Sequence, residues 1–375
     1  MLKSRLCIAF FAFAVGCAPA QKPLTDYVNP MLGTATLWDS VDLGFKPTKR
    51  TWGAEVFPGS SLPNAMVQVS PVTKFHSGAG YQYEDSVIYG FTHTNKGHWN
   101  LCHIPLLPVT GTPTPGDYCS PFSHERESAA PGYYQVFLDR YGVDAQLSST
   151  LRCAFHKYTY PAGAAASLLA DLQRSNEHVR AWDIRKEGDN VFAGWQQTGE
   201  KMYFYAVANR PVTGIEPVVE GDREVRIVRF GEGDGALELR IGFSFVSEKN
   251  ARENLEAEML GKSFAEVRSE ATATWNDLLG RIRVEGGTER EKGLFYSSLY
   301  RSFLWPALRS DVNGEFTDVD GKVINPGFRY YTGPSYWDDY RNKLILLGML
   351  APDVAADVIS SDTDKGEKRG GVMPT

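Results

Sequence analysis

A chain of 375 residues is long enough for two domains, each with its own buried core. Aromatic residues make up 12% of it and charged residues 22%, an ordinary globular balance. The net charge of −6, with no long basic run, argues against a nucleic-acid partner.

The first segment does not belong to the fold. Lys3 and Arg5 precede the apolar run LCIAFFAFAVGC, which is too short to span a membrane as a mature helix. AVGC, Ala14–Cys17, has the form of a bacterial lipoprotein processing site, and APA, Ala18–Ala20, that of an ordinary signal-peptidase site. Residues 1–20 are therefore read as a signal peptide. The protein is expected to be exported, either to the periplasm or as an outer-membrane or cell-surface lipoprotein anchored through Cys17. Export permits one disulfide among Cys102, Cys119 and Cys153, and the odd count leaves one thiol over.

From Tyr27 to about Val246 the apolar period is two. Tyr134, Val136 and Leu138 alternate with polar neighbours, as do Leu151, Cys153 and Phe155, and breaks such as RYGVD, KEGDN and GEGDG separate the segments. Many short strands at this spacing predict an antiparallel β-sandwich over residues 24–247. After Ser247 the period changes. Phe264, Val267, Ala271, Trp275, Leu278 and Ile282 form one helical stripe. A second helix is predicted from Glu289 to Trp305, stopping at Pro306, and WDDYRNKLILLGML and PDVAADVIS read as further helices. Loops rich in aromatic residues, glycine and Asn/Asp suit a neutral polar ligand such as a sugar. The helices over 248–375 carry broad apolar faces that need partners, so the chain reads as a piece of a larger α+β protein.

Three stretches carry candidate chemistry. GFTHTNKGHWNLCHIPLLP, Gly90–Pro108, gathers His93, His98 and His103 around Trp99. A zinc hydrolase favours histidines on one helical face, whereas here Gly97 and Pro105 argue for a loop. The stretch is then either packed histidines with satisfied hydrogen bonds or a ligand pocket. In the pocket reading Trp99 offers a stacking face, and His93, His98, Asn95 and Lys96 offer hydrogen bonds. SYWDDYRN, Ser335–Asn342, reads as a capped helix start with Asp339 reaching Lys343, or as a ligand contact. Adjacent helical residues diverge by about 100°, so at most one of Asp338 and Asp339 enters a common site. DVNGEFTDVDG, Asp311–Gly321, is rich in oxygen ligands but lacks the EF-hand spacing and reads first as a turn.

Taken in order, DYVNPMLGT, FPGSSLPNAMVQVSP, GYQYEDSVIYGFTHT, FVSEKNARENL, LYRSFLWP, DVDGKV and YWDDYR resemble glycoside hydrolase family 92, and the likeness covers the chain from Asp26 to its end. The resemblance implies an N-terminal antiparallel β-sandwich followed by the first helices of a truncated (α/α)6 barrel, with the active site between them. It implies calcium-dependent, inverting removal of terminal α-linked mannose, with α-mannosides or mannose-containing glycans as substrates.

The family's Trp-Asp-x-aromatic-Arg motif falls on Trp337, Asp338, Tyr340 and Arg341, which implies that Asp338 binds the hydroxyls of the mannose being cleaved. Asp339 stands where threonine is commoner. The loop of Trp99, His98, His93 and Asn95 departs from the family's usual Gly-Phe-Ser-His-Thr-His-Leu-Ser-Gly but would face the sugar. The general acid, the general base and at least part of the calcium site are expected beyond Thr375, so no catalytic residue is assigned here. The chain alone is expected to be inactive without the rest of the barrel. Two other readings stand beside this one: a non-enzymatic carbohydrate-binding surface protein, and a histidine-dependent metallohydrolase.

Overall fold

The computed structural model describes residues 22–36, 44, 55–95, 101–233, 235–333 and 336–371, without the side chains of Trp337 and Asp338. Two antiparallel sheets dominate the N-terminal part. The eight-stranded sheet runs, edge to edge, Ala181–Gly188, Val191–Gln197, Lys201–Ala208, Leu237–Ser244, Cys153–Thr159, Val143–Ser149, Tyr133–Leu138 and Glu127–Ala130. The seven-stranded sheet runs Ser60–Ser61, Gln68–Val72, Gly90–Thr92, Leu106–Val109, Ser167–Ala170, Arg223–Phe230 and Val212–Glu220.

The alternation read from the sequence turns one set of side chains of each sheet inward. Phe91 of the smaller sheet lies 6.2 Å from Tyr158 and 6.5 Å from Tyr134 of the larger. Phe192 meets Phe230 at 6.3 Å. Burying each such ring contributes about 1.5–3 kcal/mol.

The larger sheet is covered on its outer face as well. In Cys153–Thr159, Ala154 and Tyr158 pack in the sandwich, while Cys153 and Phe155 pack outward in a second cluster with Leu255, Met259, Phe264 and Val267. Those partners come from helix α1, Glu248–Glu258, with Met259 just past its end, and helix α2, Phe264–Leu279. Gly242 allows the close approach, because a Cβ there would lie 2.1 Å from the Ala251 carbonyl oxygen.

Ser247 caps α1 by accepting from Asn250 N at 3.1 Å. Capping boxes start α2 at Ser263/Glu266 and α3, Glu289–Ser302, at Thr288/Glu291. The expected stripe of α2 is buried from Phe264 to Leu278, and Ile282 packs just beyond its end. Trp275 of α2 is fully buried, packs against Tyr300 of α3 with ring centroids 4.4 Å apart and donates from Nε1 to the Ser61 carbonyl at 2.8 Å.

Two predicted helices differ in extent. The second stops at Ser302 rather than Trp305. WDDYRNKLILLGML is two pieces, α4, Tyr336–Asp339, and α5, Lys343–Leu350, because Asn342 leaves the helical region at φ −146°. The last helix, α6, runs Pro352–Lys368 with proline in its first turn. The described helices do not close a barrel. Cys102, Cys119 and Cys153 are all free thiols, so the disulfide that export would permit is not formed among them. Residues 1–21, with the proposed signal peptide and Cys17, lie outside the described residues. Among the described residues no helix is long and apolar enough to cross a membrane.

Candidate functional site

The arms of the histidine-rich stretch are tied together at their base. His93 N donates to the His103 carbonyl at 3.1 Å and Cys102 N to that of Thr94 at 2.7 Å. Lys96, His98 and Trp99 lie outside the described residues.

The described members point inward. His93 and Asn95 are 0% exposed. His93 Nε2 shares a hydrogen bond with His156 Nε2 at 3.0 Å, and its ring lies 4.4 Å from Phe243. Asn95 is bonded through its N–H and both side-chain polar atoms: its N–H donates to Gln68 Oε1, its Nδ2 to the Gln68 and Thr92 carbonyls, and its Oδ1 accepts from Thr92 Oγ1. Burial holds the imidazoles neutral, lowering His93 to about 3 and His103 to about 4. His93 and Asn95 are therefore not at a ligand-facing surface, contrary to the expectation for this loop. Strand Gly90–Thr92 is an interior strand of the seven-stranded sheet, paired on both sides, and the residues that follow it, His93 to Asn95, remain inside.

The loop base leads to a cleft. His103 Nε2 bonds Thr198 Oγ1 at 3.0 Å, and Thr198 precedes Gly199, which lines a cleft of about 750 Å³ at the seam between sandwich and helices. Glu200, Tyr203 and Phe245 form the sandwich wall, and Arg309, Tyr330 and Lys365 the helical wall. Arg309 crosses the seam to Glu200 at 2.9 Å and lies 3.8 Å above the Phe245 ring. Tyr330 stacks on Phe316 at 3.5 Å. Lys365 Nζ donates to the Tyr331 carbonyl at 2.9 Å and to Asp362 at 3.1 Å, and burial lowers its pKa against the pull of Asp362. The carboxylates lining this cleft, Glu200 and Asp318, are both engaged, Asp318 with Lys368 at 3.0 Å. The cleft thus offers aromatic faces and cationic donors, a set suited to hydroxyl-rich ligands.

The Trp337–Arg341 motif begins at the edge of this cleft. Gly333 lines it, and three residues later the Tyr336 hydroxyl donates to Asp362 Oδ2 at 2.6 Å. Asp362, buried on α6, holds Lys365 and Tyr336 with its two oxygens and so fixes where α4 starts. Asp339 pairs with Lys343 at 3.2 Å, four residues on. Arg341 Nε donates to the Tyr340 hydroxyl at 2.9 Å. The side chains of Trp337 and Asp338 lie outside the described residues.

The oxygen-rich loop serves as a joint. Asp311 is buried and accepts from Ser244 Oγ at 2.7 Å, Asn250 Nδ2 at 2.9 Å and Asn254 Nδ2 at 2.7 Å. It thereby links the last strand of the sandwich, α1 and the segment after α3. Phe316–Thr317 and Val323–Ile324 pair as a small hairpin around the rest. Calcium takes six to eight oxygen ligands. Among the described residues no group of three or more His, Cys, Asp or Glu side chains is arranged to hold a metal ion.

Glu200, Arg309, Tyr330 and Lys365 were not singled out from the sequence. They come from separate segments with no common spacing, and only the aromatic density of KMYFY and RYYTGPSYW hinted at them.

Two family models cover nearly all of the chain: the glycosyl hydrolase family 92 N-terminal domain matches residues 27–253, and the family 92 catalytic domain residues 250–375. The chain belongs to glycoside hydrolase family 92. Its fold superposes on a family 92 α-mannosidase from Bacteroides thetaiotaomicron with a TM-score of 0.85 at 26% identity, covering 95% of this chain and 51% of that one. An inverting family 92 mannosidase from Bacteroides thetaiotaomicron VPI-5482 matches with a TM-score of 0.81 at 25% identity, over 94% and 49% of the two chains. A curated relative, an uncharacterized secreted glycosidase of Arthroderma benhamiae, is 24% identical over 77% of this chain and 42% of its own length. The chain thus spans about half the length of the relatives it matches.

Proposed function

We propose that this chain supplies the sandwich and the opening part of the catalytic domain of an exported α-mannosidase that removes terminal α-linked mannose with inversion. The observation that carries this reading is the sequence of both family 92 domains on one chain, meeting at a cleft beside the Trp337–Arg341 motif. The printed descriptions of the structural relatives as α-mannosidases, one of them in complex with mannoimidazole, support mannose as the sugar.

In this reading Asp338 holds hydroxyls of the terminal mannose, and the Tyr336–Asp362 bond keeps its helix at the seam. By the family resemblance, Trp99 and His98 are proposed to contact the same sugar. Calcium is expected in the complete enzyme, where it would hold sugar hydroxyls, and the described residues provide no cluster for it. Acid and base come from outside this chain. Export by the leader is supported by the relative described as secreted, and lipidation of Cys17 is part of the proposal.

The test is mannose release from α-mannosides by the full-length gene product with calcium present. The expected outcome is turnover that falls about 100-fold or more in Asp338→Asn, equivalent to losing one charged contact to the sugar in the transition state. No mannose from any α-linked substrate would overturn the assignment. Residues 21–375 alone are expected to release none, and turnover by them would refute the placing of acid and base elsewhere.

A further inference from the structure

A second hollow lies on the sandwich beside the seam. It measures about 720 Å³, between the 173–182 segment and the turn at Asp222–Arg223. Trp182 presents a half-buried indole there, backed by the Arg226 guanidinium 5.3 Å from the ring. Arg223 is held in place, because its Nη2 donates to Asp171 Oδ2 at 2.6 Å, the same fully buried oxygen that accepts from the Tyr118 hydroxyl at 2.6 Å.

Arg174 and His76 form the wall shared with a neighbouring hollow of about 520 Å³. Arg174 stands 5.4 Å from the Phe75 ring and 5.2 Å from that of Tyr89. His76 sits at φ +60°, a region an L side chain rarely adopts. Two bonds to Asn176 hold it there, from His76 N to Oδ1 at 2.7 Å and between Nδ1 and the carbonyl at 3.0 Å. An exposed residue kept in a strained conformation by a buried partner is a set piece of the surface, of the kind found at binding sites.

Charge decides the ligand class. In the wall Glu177 and Asp222 face Arg174, Arg180 and Arg223, and Asp171, buried behind it, pairs with Arg174 and Arg223, so nothing selects for an anion. What remains is an indole face ringed by donors and acceptors, which fits a neutral polyhydroxylated ring. Position decides the rest. Glu177 Oε2 accepts from Gly199 N at 3.3 Å, and Gly199 lines the seam cleft. Ser175, also in the hollow, donates to the Leu101 carbonyl at 2.6 Å and so pins the base of the Trp99 loop.

We propose that this hollow is a distal sugar-binding subsite, which takes an inner hexose of the glycan whose terminal residue enters the seam; the identity of that glycan rests on the mannosidase reading. The test uses the full-length protein, its Trp182→Ala and Arg180→Ala variants, yeast mannan and 4-nitrophenyl α-mannoside. Arg180 is exposed and its loss does not disturb the core, which guards against a folding defect in the tryptophan variant. The expected result is a KM for mannan raised about tenfold by Trp182→Ala and severalfold by Arg180→Ala. The kcat on mannan and kcat/KM on the small substrate stay unchanged. An unchanged KM for mannan in both variants, or equal losses on both substrates, overturns the subsite. If the unsubstituted protein hydrolyses neither substrate, the mannosidase reading fails separately, and electrophoresis in mannan-containing gels decides the subsite. Retardation of the unsubstituted protein that both variants lose supports it, and retardation absent or retained in both variants refutes it.

Discussion

The sandwich and the helical region are stabilised in different ways. In the sandwich, Phe91, Phe192, Phe204 and Phe243 are all fully buried between two sheets. In the helical region, Ile345 is 61%, Met349 70% and Ile359 66% exposed. The same helices bury Leu347, Leu350 and Val358, so their apolar residues are covered on one side and open on another. Polar joints set their position: Arg152 to Glu258 at 2.6 Å, Asp311 to Ser244 and two asparagines, and Asp362 to Tyr336.

The strongest way to break this contrast is to remove the apolar link between the regions. Trp275→Ala deletes a fully buried indole, its packing on Tyr300 and its bond to Ser61. The expected loss is about 3–5 kcal/mol, read from the midpoint of denaturant unfolding. A loss below about 1 kcal/mol would show that α2 is not held by the sandwich.

A smaller effect tests the polar joint. Burial raises Asp311 to about 6, despite the hydrogen bonds from Ser244, Asn254 and Asn250. The folded chain therefore keeps a proton there that the unfolded chain releases near pH 4. The stability from this group is fully present below about pH 4 and is lost as pH rises through about 6. Between those limits the chain should lose roughly 1–3 kcal/mol that Asp311→Asn, which cannot titrate, does not lose. Parallel stability–pH curves for the two proteins would refute the joint's titration.

The period-two segments and the single stripe of α2 were legible because each is set by one repeating contact surface. Ser263 and Thr288, which cap α2 and α3, were not singled out from the sequence, although a cap acts over only three residues. The seam was not legible. Glu200 and Arg309 meet only because a hairpin of one region leans on the loop of another, 109 positions away by number. His93 and Asn95 looked like a ligand set because their polar groups were visible and their buried partners were not. Gln68 and His156, which bond to them, lie 27 and 63 positions away. Asp311 was read as part of a turn, which it is, but its three donors come from a strand and a helix that the loop's own sequence does not mention.

The smallest effects belong to the uncovered helix faces, and they separate burial from mere apolarity. Within α5, Leu347 is 3% exposed while Ile345 and Met349 are open. Leu347→Ala leaves a cavity and is expected to cost about 2–4 kcal/mol. Ile345→Ser and Met349→Ser remove side chains with little burial in this chain and should each stay within about 0.5 kcal/mol. Their effect should appear instead in self-association, because a contiguous apolar face attracts a second copy or any other apolar surface. Sedimentation of the 375-residue chain should show less association in the double serine variant at unchanged unfolding midpoint. If the serine substitutions cost as much as Leu347→Ala, those faces are packed in solution and the contrast between the two regions does not hold.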